Sequence, residues 1–153
     1  MSIDDAVTFK GVTFQDTSRV RDCCLCLHVQ RAARSLARLF DDALRPFGLT
    51  NGQFSLLMSL NRPEPPQMRA VADLLAMDRT TLTAALKPLE RQGLLAIAVD
   101  PADRRGRRLI LTDAGRAALA GAMPVWEKTH AEIEALLPEG DPERLRRDLR
   151  ALS

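Results

Sequence analysis

Aromatic residues and histidine are scarce in this sequence. Aromatic side chains make up 4% of its 153 residues, tyrosine is absent, and there are two histidines. So few histidines leave few candidates for general acid–base catalysis. The sequence also lacks a phosphate-binding glycine loop, a metalloprotease pair of histidines and a Gly-x-Ser-x-Gly elbow. These absences argue against an enzyme, and no sequence feature indicates a cofactor.

Long apolar stretches are also missing. No run approaches the roughly 18 consecutive apolar residues that a membrane-spanning helix needs. The first residues, MSIDD, lack the basic start and apolar core of a signal peptide. We therefore expect a cytoplasmic protein that does not bind membranes. In that compartment its three cysteines are expected to be reduced thiols and not structural disulfides: Cys23, Cys24 and Cys26.

The residues that are abundant favour helices. Hydrophobic residues make up 46% of the chain and charged residues 27%, which is typical of a folded domain, and Ala, Leu and Arg are good helix formers. Residues 1–17 show no clear periodicity and are expected to form an arm. From Ser18 onward apolar residues recur every three or four positions, which predicts one long helix that Pro46 and Gly48 end.

The middle of the chain predicts short helices followed by a hairpin. Thr50 is a candidate N-cap for a second helix, and the proline-rich stretch 61–66 then interrupts the helical pattern. Two short helical patterns follow, the second capped by Asp78 and stopped by Gly93. Beyond Gly93 come two strand-like runs joined by a charged turn. These short elements are predicted at 68–76 and 79–92 (helices) and at 94–99 and 107–111 (strands).

The last part of the chain returns to helical patterns. Thr112 is expected to cap a long helix, and Asp141 with Pro142 to begin a short one. The order of elements predicts a mostly α-helical fold with a small β-hairpin wing, a winged helix-turn-helix. The apolar stripes of the terminal helices are too long for a lobe of about 60 residues to cover, so we expect a homodimer. The expected division is an N-terminal arm (1–17), a helical dimerisation region (18–48 and 112–153) and a winged helix-turn-helix lobe (49–111).

The second short helix has the features of a DNA-recognition helix. Leu82, Leu86 and Leu89 share one face by their spacing, which leaves hydroxyl, small and basic side chains on the other. Such side chains let a helix sit deep in the major groove, where threonine can contact base edges or thymine methyl groups. Threonine is a mediocre helix former, which favours recognition over an ordinary exposed face. The candidate DNA-contacting residues are Arg79, Thr80, Thr81, Thr83 and Lys87.

The turn of the predicted hairpin is the second candidate DNA-binding element. Between residues 79 and 116 there are eight basic and four acidic residues, a local charge of +4 in a chain of net charge +2. Arginine at the tip of a thin loop can enter the minor groove, and a nearby aspartate can orient an arginine through paired hydrogen bonds. An ordinary solvated turn is the alternative. The candidate wing residues are Asp103, Arg104 and Arg105.

The sequence resembles the MarR family of transcription regulators over about residues 20–138. The most specific part of the resemblance is the wing signature Asp-x-Arg, followed at the right spacing by a strand and Leu-Thr-x-x-Gly. One departure is Ala76, at a turn where glycine is common. The matching stretches are VADLLAMDRTTLT (71–83), LERQGLL (89–95), DPADRRG (100–106) and LILTDAG (109–115).

This resemblance implies more than a fold. It implies a dimer whose first and last helices interlock, a recognition helix running from Arg79 to Lys87, and a wing pair formed by Asp103 and Arg105. It also implies an autorepressor that is released by a small phenolic or other ligand, or by thiol oxidation.

Cys26 resembles, in its position, the reactive cysteine of the organic-hydroperoxide-responsive members of that family. Arg21 and the helix N-terminus would favour a thiolate there, and Cys23 and Cys24 are further candidates for redox sensing. Those relatives steady their cysteine with tyrosine hydroxyls, which this chain lacks, and simple packing of a cysteine is the alternative. Cys23, Cys26 and His28 do not share one helical face well, so we expect no metal site.

The sequence therefore predicts a regulator, a repressor in the first instance, that binds double-stranded DNA sequence-specifically as a homodimer. A small-molecule effector or thiol oxidation is expected to release it. Two other functions remain open at this point. One is a winged-helix module that binds protein through its hairpin edge, and the other is a peroxide-reactive enzyme built on Cys26.

Overall fold

The computed structural model describes residues 11–137 and 140–153. Most of these residues are helical, and the two strands pair as an antiparallel hairpin, so the predicted fold class is confirmed. No helix in these ranges is both long enough and apolar enough to cross a membrane. The elements are α1 (Phe14–Cys23), α2 (Leu25–Leu44), a 3-10 helix (Arg45–Phe47), α3 (Asn51–Leu60), α4 (Met68–Leu74), α5 (Arg79–Arg91), β1 (Leu95–Val99), β2 (Arg107–Leu111), α6 (Asp113–Glu134) and α7 (Pro142–Arg150).

The described chain divides after Ala37 into two units, and the first begins with an unpredicted helix. The Thr13 hydroxyl accepts a hydrogen bond from the backbone amide of Asp16 (3.3 Å), whose carboxylate accepts one from the amide of Thr13 (2.9 Å). This capping box starts α1 without any apolar stripe, and no residue of α1 is buried. The helix thus begins inside the stretch 1–17 that was predicted to be an arm; residues 1–10 lie outside the described residues.

The long helix predicted from Ser18 is in fact two helices. Cys24 has an extended backbone (φ −74°, ψ 106°), which separates α1 from α2. Apolar periodicity continues across this residue, so the pattern could not reveal the break. At its other end α2 stops at Leu44 and a 3-10 helix follows. That helix ends at Gly48, which adopts a left-handed conformation (φ +71°) where the sequence predicted the end of the helical stretch.

Leucine side chains form most of the core of the second unit. Burying one leucine contributes about 1.5–3 kcal/mol, so a leucine-rich core compensates for the scarcity of aromatic residues. The single tryptophan, Trp126 on α6, stacks against Phe40 and Phe54, with ring centroids 6.4 and 6.1 Å away. The leucines without measurable exposure are Leu44, Leu57, Leu82, Leu86, Leu89 and Leu109.

Helices α4 and α5 form the helix-turn-helix. The predicted first helix ends at Leu74 instead of residue 76, because Ala76 takes a left-handed conformation (φ +50°). This is the conformation that glycine adopts without strain, which explains why glycine is common at such turns. Asp78 then caps α5 as predicted, accepting a hydrogen bond from the backbone amide of Thr81 (2.8 Å).

The hairpin pairs Leu95 with Leu111 at its base and Val99 with Arg107 near its tip. A short segment preceding α4 lies beside β2: the backbone amide of Leu109 donates to the carbonyl of Pro66 (3.0 Å), and Gln67 forms an isolated bridge with Arg108. The wing is therefore bonded to the chain that leads into the helix-turn-helix.

Candidate DNA-binding surface

Helix α5 presents two different faces. Leu82, Leu86 and Leu89 are fully buried and fix the helix to the core, as their spacing predicted. The candidate recognition residues Arg79, Thr80, Thr81, Thr83 and Lys87 are all exposed. Their predicted exposure is therefore confirmed, and their contact with DNA stays a prediction.

Two of the three threonines on α5 also have local structural roles. The hydroxyl of Thr81 donates to the Asp78 carboxylate (2.7 Å), in addition to the backbone hydrogen bond of the cap. These contacts, led by the Thr81 backbone amide, lower the pKa of Asp78. The hydroxyl of Thr83 donates to the backbone carbonyl of Arg79 (2.7 Å), which leaves its oxygen lone pair and its methyl group for other contacts. These cap contacts account for a threonine at position 81 without any contact to DNA. The spacing of residues along the helix did not reveal them.

The wing tip is held by Asp103, but not in the way predicted. Its carboxylate accepts a hydrogen bond from the backbone amide of Arg105 (2.9 Å), and its carbonyl accepts one from the amide of Gly106 (2.8 Å). Asp103 therefore orients Arg105 through the main chain and not through paired hydrogen bonds to a guanidinium. A carboxylate that accepts from the amide two residues ahead forms an Asx turn.

The start of α5 and the wing tip face the same cleft. Its volume is about 490 Å³. No ion pair in the described ranges involves Arg79, Lys87, Arg104 or Arg105, so these cations are available to an anionic partner. The cleft is lined by Gln67, Met68, Arg69, Ala72, Asp73, Met77, Arg79, Asp103, Arg105, Gly106 and Arg107.

At the base of the wing lies a buried carboxylate whose role the sequence did not predict. Asp100 has no exposed surface. It accepts hydrogen bonds from the backbone amide of Ala102 (3.0 Å) and the side-chain amide of Gln67 (2.8 Å), and it pairs with Arg108 (3.0 Å). The Ala102 amide, followed by Gln67 and Arg108, lowers the pKa of Asp100 despite its burial. Gln67 lies 33 positions before Asp100, too far for any local pattern to link them.

Comparison with known proteins identifies the family. A sequence model of the MarR family matches residues 47–106. The Mycobacterium tuberculosis transcriptional regulator MosR, crystallised with DNA, is 42% identical over 84% of this chain and 92% of that chain, with a TM-score of 0.77. The chain belongs to the MarR family of winged-helix transcriptional regulators.

Other MarR-type proteins give the same picture. The transcriptional repressor CouR, bound to a 23-mer DNA duplex, is 29% identical over 92% of this chain and 97% of that chain, with a TM-score of 0.75. The HTH-type transcriptional regulator TtmR of Methylorubrum extorquens is 34% identical over 68% of this chain and 53% of its own length. This MarR-family chain spans about half the length of the curated relatives it matches.

The contacts of the buried Asp100 carboxylate with Ala102, Gln67 and Arg108 predict how the stability of this MarR-family lobe depends on pH. Because the folded pKa lies below the ordinary value of 3.8, the contribution of Asp100 is fully present above that value. It is lost as the pH falls through the lower folded value. We expect Asp100→Asn to be less stable than wild type at neutral pH, with a gap that narrows below about pH 4. Urea unfolding at a series of pH values measures the gap, and a gap independent of pH would contradict this assignment.

The cysteines lie in the first unit. Cys26 and Cys23 are exposed and Cys24 is partly buried. The side-chain amide of Gln30 lies 3.2 Å from the sulfur of Cys26, which is in the first turn of α2. Arg21, predicted to favour a thiolate, instead binds the neighbouring Asp22 through two hydrogen bonds. Within residues 11–137 and 140–153, no group of His, Cys, Asp and Glu could hold a metal ion.

Proposed function

We propose that this chain is a sequence-specific repressor that binds duplex DNA as a homodimer. The observation that carries the proposal is the shared cleft of Arg79, at the start of α5, and Arg105, at the wing tip. In this arrangement α5 can enter a major groove while the wing reaches the adjacent minor groove. MosR and CouR were crystallised with DNA, and CouR is described as a repressor, which supports the same function here.

Exposed apolar residues support the homodimer. On α7, Leu145 and Leu149 lie one helical turn apart and are 43% and 41% exposed, and Leu152 follows at 66%. On α2, Leu25 and Val29 are likewise exposed. Apolar faces of this kind are normally buried against a partner. We therefore assign dimerisation to residues 18–48 and 112–153 and DNA binding to residues 49–111.

A second cavity supports release by a small ligand. It has a volume of about 380 Å³ and lies between α3, α4 and α6, so a ligand bound there would press on the first helix of the helix-turn-helix. Half of its lining residues are methionine or aromatic; the aromatic rings give it apolar walls, and the methionine side chains can adapt to a ligand. CouR has also been crystallised with p-coumaroyl-CoA. The lining residues are Phe54, Ser55, Met58, Ser59, Leu74, Leu75, Met123 and Trp126.

Thiol oxidation is the other proposed route of release. A hydroperoxide transfers one oxygen atom to the thiolate of Cys26, which becomes a sulfenic acid as the peroxide leaves as an alcohol. The sulfenic acid then condenses with a second thiol to a disulfide and water, and Cys23 and Cys24 are the available thiols. The exposure of Cys26 supports its access to peroxide.

The binding function is tested by selecting duplexes from a random-sequence library and titrating the best one with salt. We expect the logarithm of the affinity to fall linearly with the logarithm of the salt concentration, because arginine and lysine displace counterions from phosphates. A winged-helix module that binds only protein would select no duplex. That result would overturn the proposal.

The thiol route is tested by adding an organic hydroperoxide to the DNA complex. We expect DNA release from wild type but not from Cys26→Ser, and we expect a thiol reductant to restore DNA binding by the oxidised wild type. Equal release from both proteins would exclude Cys26 as the sensor. Peroxide consumption is measured in the same samples, because repeated turnover with a reductant would instead indicate the peroxide-reactive enzyme.

A further inference from the structure

Gln67 occupies the N-cap position of α4 but does not cap it. Its backbone is extended (φ −71°, ψ 146°), as an N-cap requires, yet its side chain makes no capping hydrogen bond. Ser, Thr, Asp and Asn are the residues that stabilise this position, and glutamine is not among them. The side chain instead donates to the carboxylate of Asp100 (2.8 Å) in the wing.

The contact of Gln67 with Asp100 is part of a wider connection between the wing and the helix-turn-helix. Arg108, which pairs with Asp100, also donates to the backbone carbonyl of Pro65 (2.9 Å). Next to it, the backbone amide of Leu109 donates to the carbonyl of Pro66. The three residues before α4 are thus bonded to both ends of the wing loop. Among these three contacts, the Gln67–Asp100 bond is the one that joins two side chains.

We propose that Gln67 is a positioning residue that holds the wing tip at a fixed distance from the recognition helix. Gln67, Arg79 and Arg105 line the same cleft, and the Gln67–Asp100 bond joins the residue that precedes α4 to the base of the wing. A duplex then meets two arginines already in place, and binding does not have to order the wing. This inference rests on the proposed function of DNA binding.

The substitution Gln67→Ser separates positioning from stability. Serine is a better N-cap than glutamine, which offsets the loss of one hydrogen bond to the buried Asp100 carboxylate, so we expect a melting temperature close to that of wild type. Serine is too short to reach Asp100, so we expect the affinity for the selected duplex to fall about tenfold. Gln92→Ser, outside the cleft at the end of α5, is the matched control and should bind like wild type.

A double-mutant cycle with Arg105→Ala shows whether Gln67 acts through the wing. If Gln67 positions Arg105, removing that arginine from the Gln67→Ser protein should weaken binding much less than removing it from wild type. If the fold losses in affinity of the two single variants multiply in the double variant, the two residues act independently. That result would overturn the inference. Gln67→Met, which keeps the side-chain length but has no donor, repeats the cycle if Gln67→Ser does not fold.

The positioning role of Gln67 can be wrong while the proposed function of DNA binding is right. If wild type binds a selected duplex in a salt-dependent way and Gln67→Ser binds it equally well, the positioning role is wrong and DNA binding stands. If wild type selects no duplex, the proposed function itself is wrong.

Discussion

Replacing Arg105 by alanine is expected to weaken binding to every duplex alike, by about 5- to 100-fold. The reason is electrostatic. Arg105 is exposed at the wing tip and forms no ion pair within the described ranges, so its charge is available to the phosphates and to the negative potential of the minor groove. The salt slope should fall by about 1 per subunit, since one fewer cation displaces counterions.

Fluorescence anisotropy over a panel of duplexes and salt concentrations measures both effects. Arg45 provides the control, because it is exposed, lies outside the cleft and already pairs with Asp42. The Arg45→Ala protein loses the same charge and should bind DNA like wild type. An Arg105→Ala protein with wild-type affinity, or a loss confined to one sequence, would refute the role assigned to the wing.

Thr83→Ala should behave differently on the same panel, by changing the order of preference among duplexes. The hydroxyl of Thr83 already donates to the carbonyl of Arg79, so its methyl group is the part most available to a thymine methyl. Thr83→Val, which keeps the methyl group and loses the hydroxyl, should retain more of the wild-type preference than Thr83→Ala. A uniform loss on all duplexes would instead indicate phosphate contact.

The second large effect is expected at Gly115, in the first turn of α6. A Cβ atom there would overlap the backbone carbonyl oxygen of Leu94 and come within 2.7 Å of the Leu111 side chain. A backbone carbonyl cannot move aside as a flexible side chain can. We therefore expect Gly115→Ala to lower the free energy of unfolding by about 3 kcal/mol, measured by urea denaturation.

Gly121, on the same helix, is the matched control. A Cβ atom there would touch only the Phe47 ring, at an ordinary distance of 3.7 Å. Because alanine favours helix, Gly121→Ala should raise the free energy of unfolding by about 0.5–1 kcal/mol. If both substitutions changed stability in the same direction, the close approach of α6 to Leu94 would not be what requires Gly115.

Gly115 also shows how a sequence motif relates to its physical cause. Leu-Thr-x-x-Gly was recognisable in the sequence, and Thr112 was predicted to cap α6. The structure adds the reason for the spacing: the Thr112 hydroxyl accepts from the Gly115 amide (3.0 Å) and donates to the carbonyl of Gly93 (2.7 Å). The motif joins the end of the helix-turn-helix to the start of α6, and this tertiary contact is not visible in the spacing.

What the sequence predicted well depended on local signals. The caps at Thr50, Asp78 and Thr112 and the left-handed glycines Gly48 and Gly93 mark the helix ends within one or two residues. These signals act over a few residues, so they can be recognised without tertiary structure.

The features that the sequence did not predict depend on polar contacts. Helix α1 has a capping box but no buried face, so apolar periodicity gives no signal for it. The Gln67–Asp100–Arg108 cluster joins residues that are distant along the chain. The hydroxyl of Thr81, predicted to contact DNA, donates to the Asp78 carboxylate of its own helix cap, a contact that residue types alone do not reveal. In each case a polar contact decided the geometry, and apolar patterns carry no information about it.

The position of Trp126 gives the protein a built-in optical reporter. The chain contains one tryptophan and no tyrosine, so nearly all its ultraviolet emission arises from that single indole. The ring forms part of the wall of the cavity between α3, α4 and α6 and stacks on His130 with centroids 4.7 Å apart. We therefore expect a compound that enters the cavity to change the intensity or wavelength of the intrinsic fluorescence, which allows unlabelled protein to be screened for effectors.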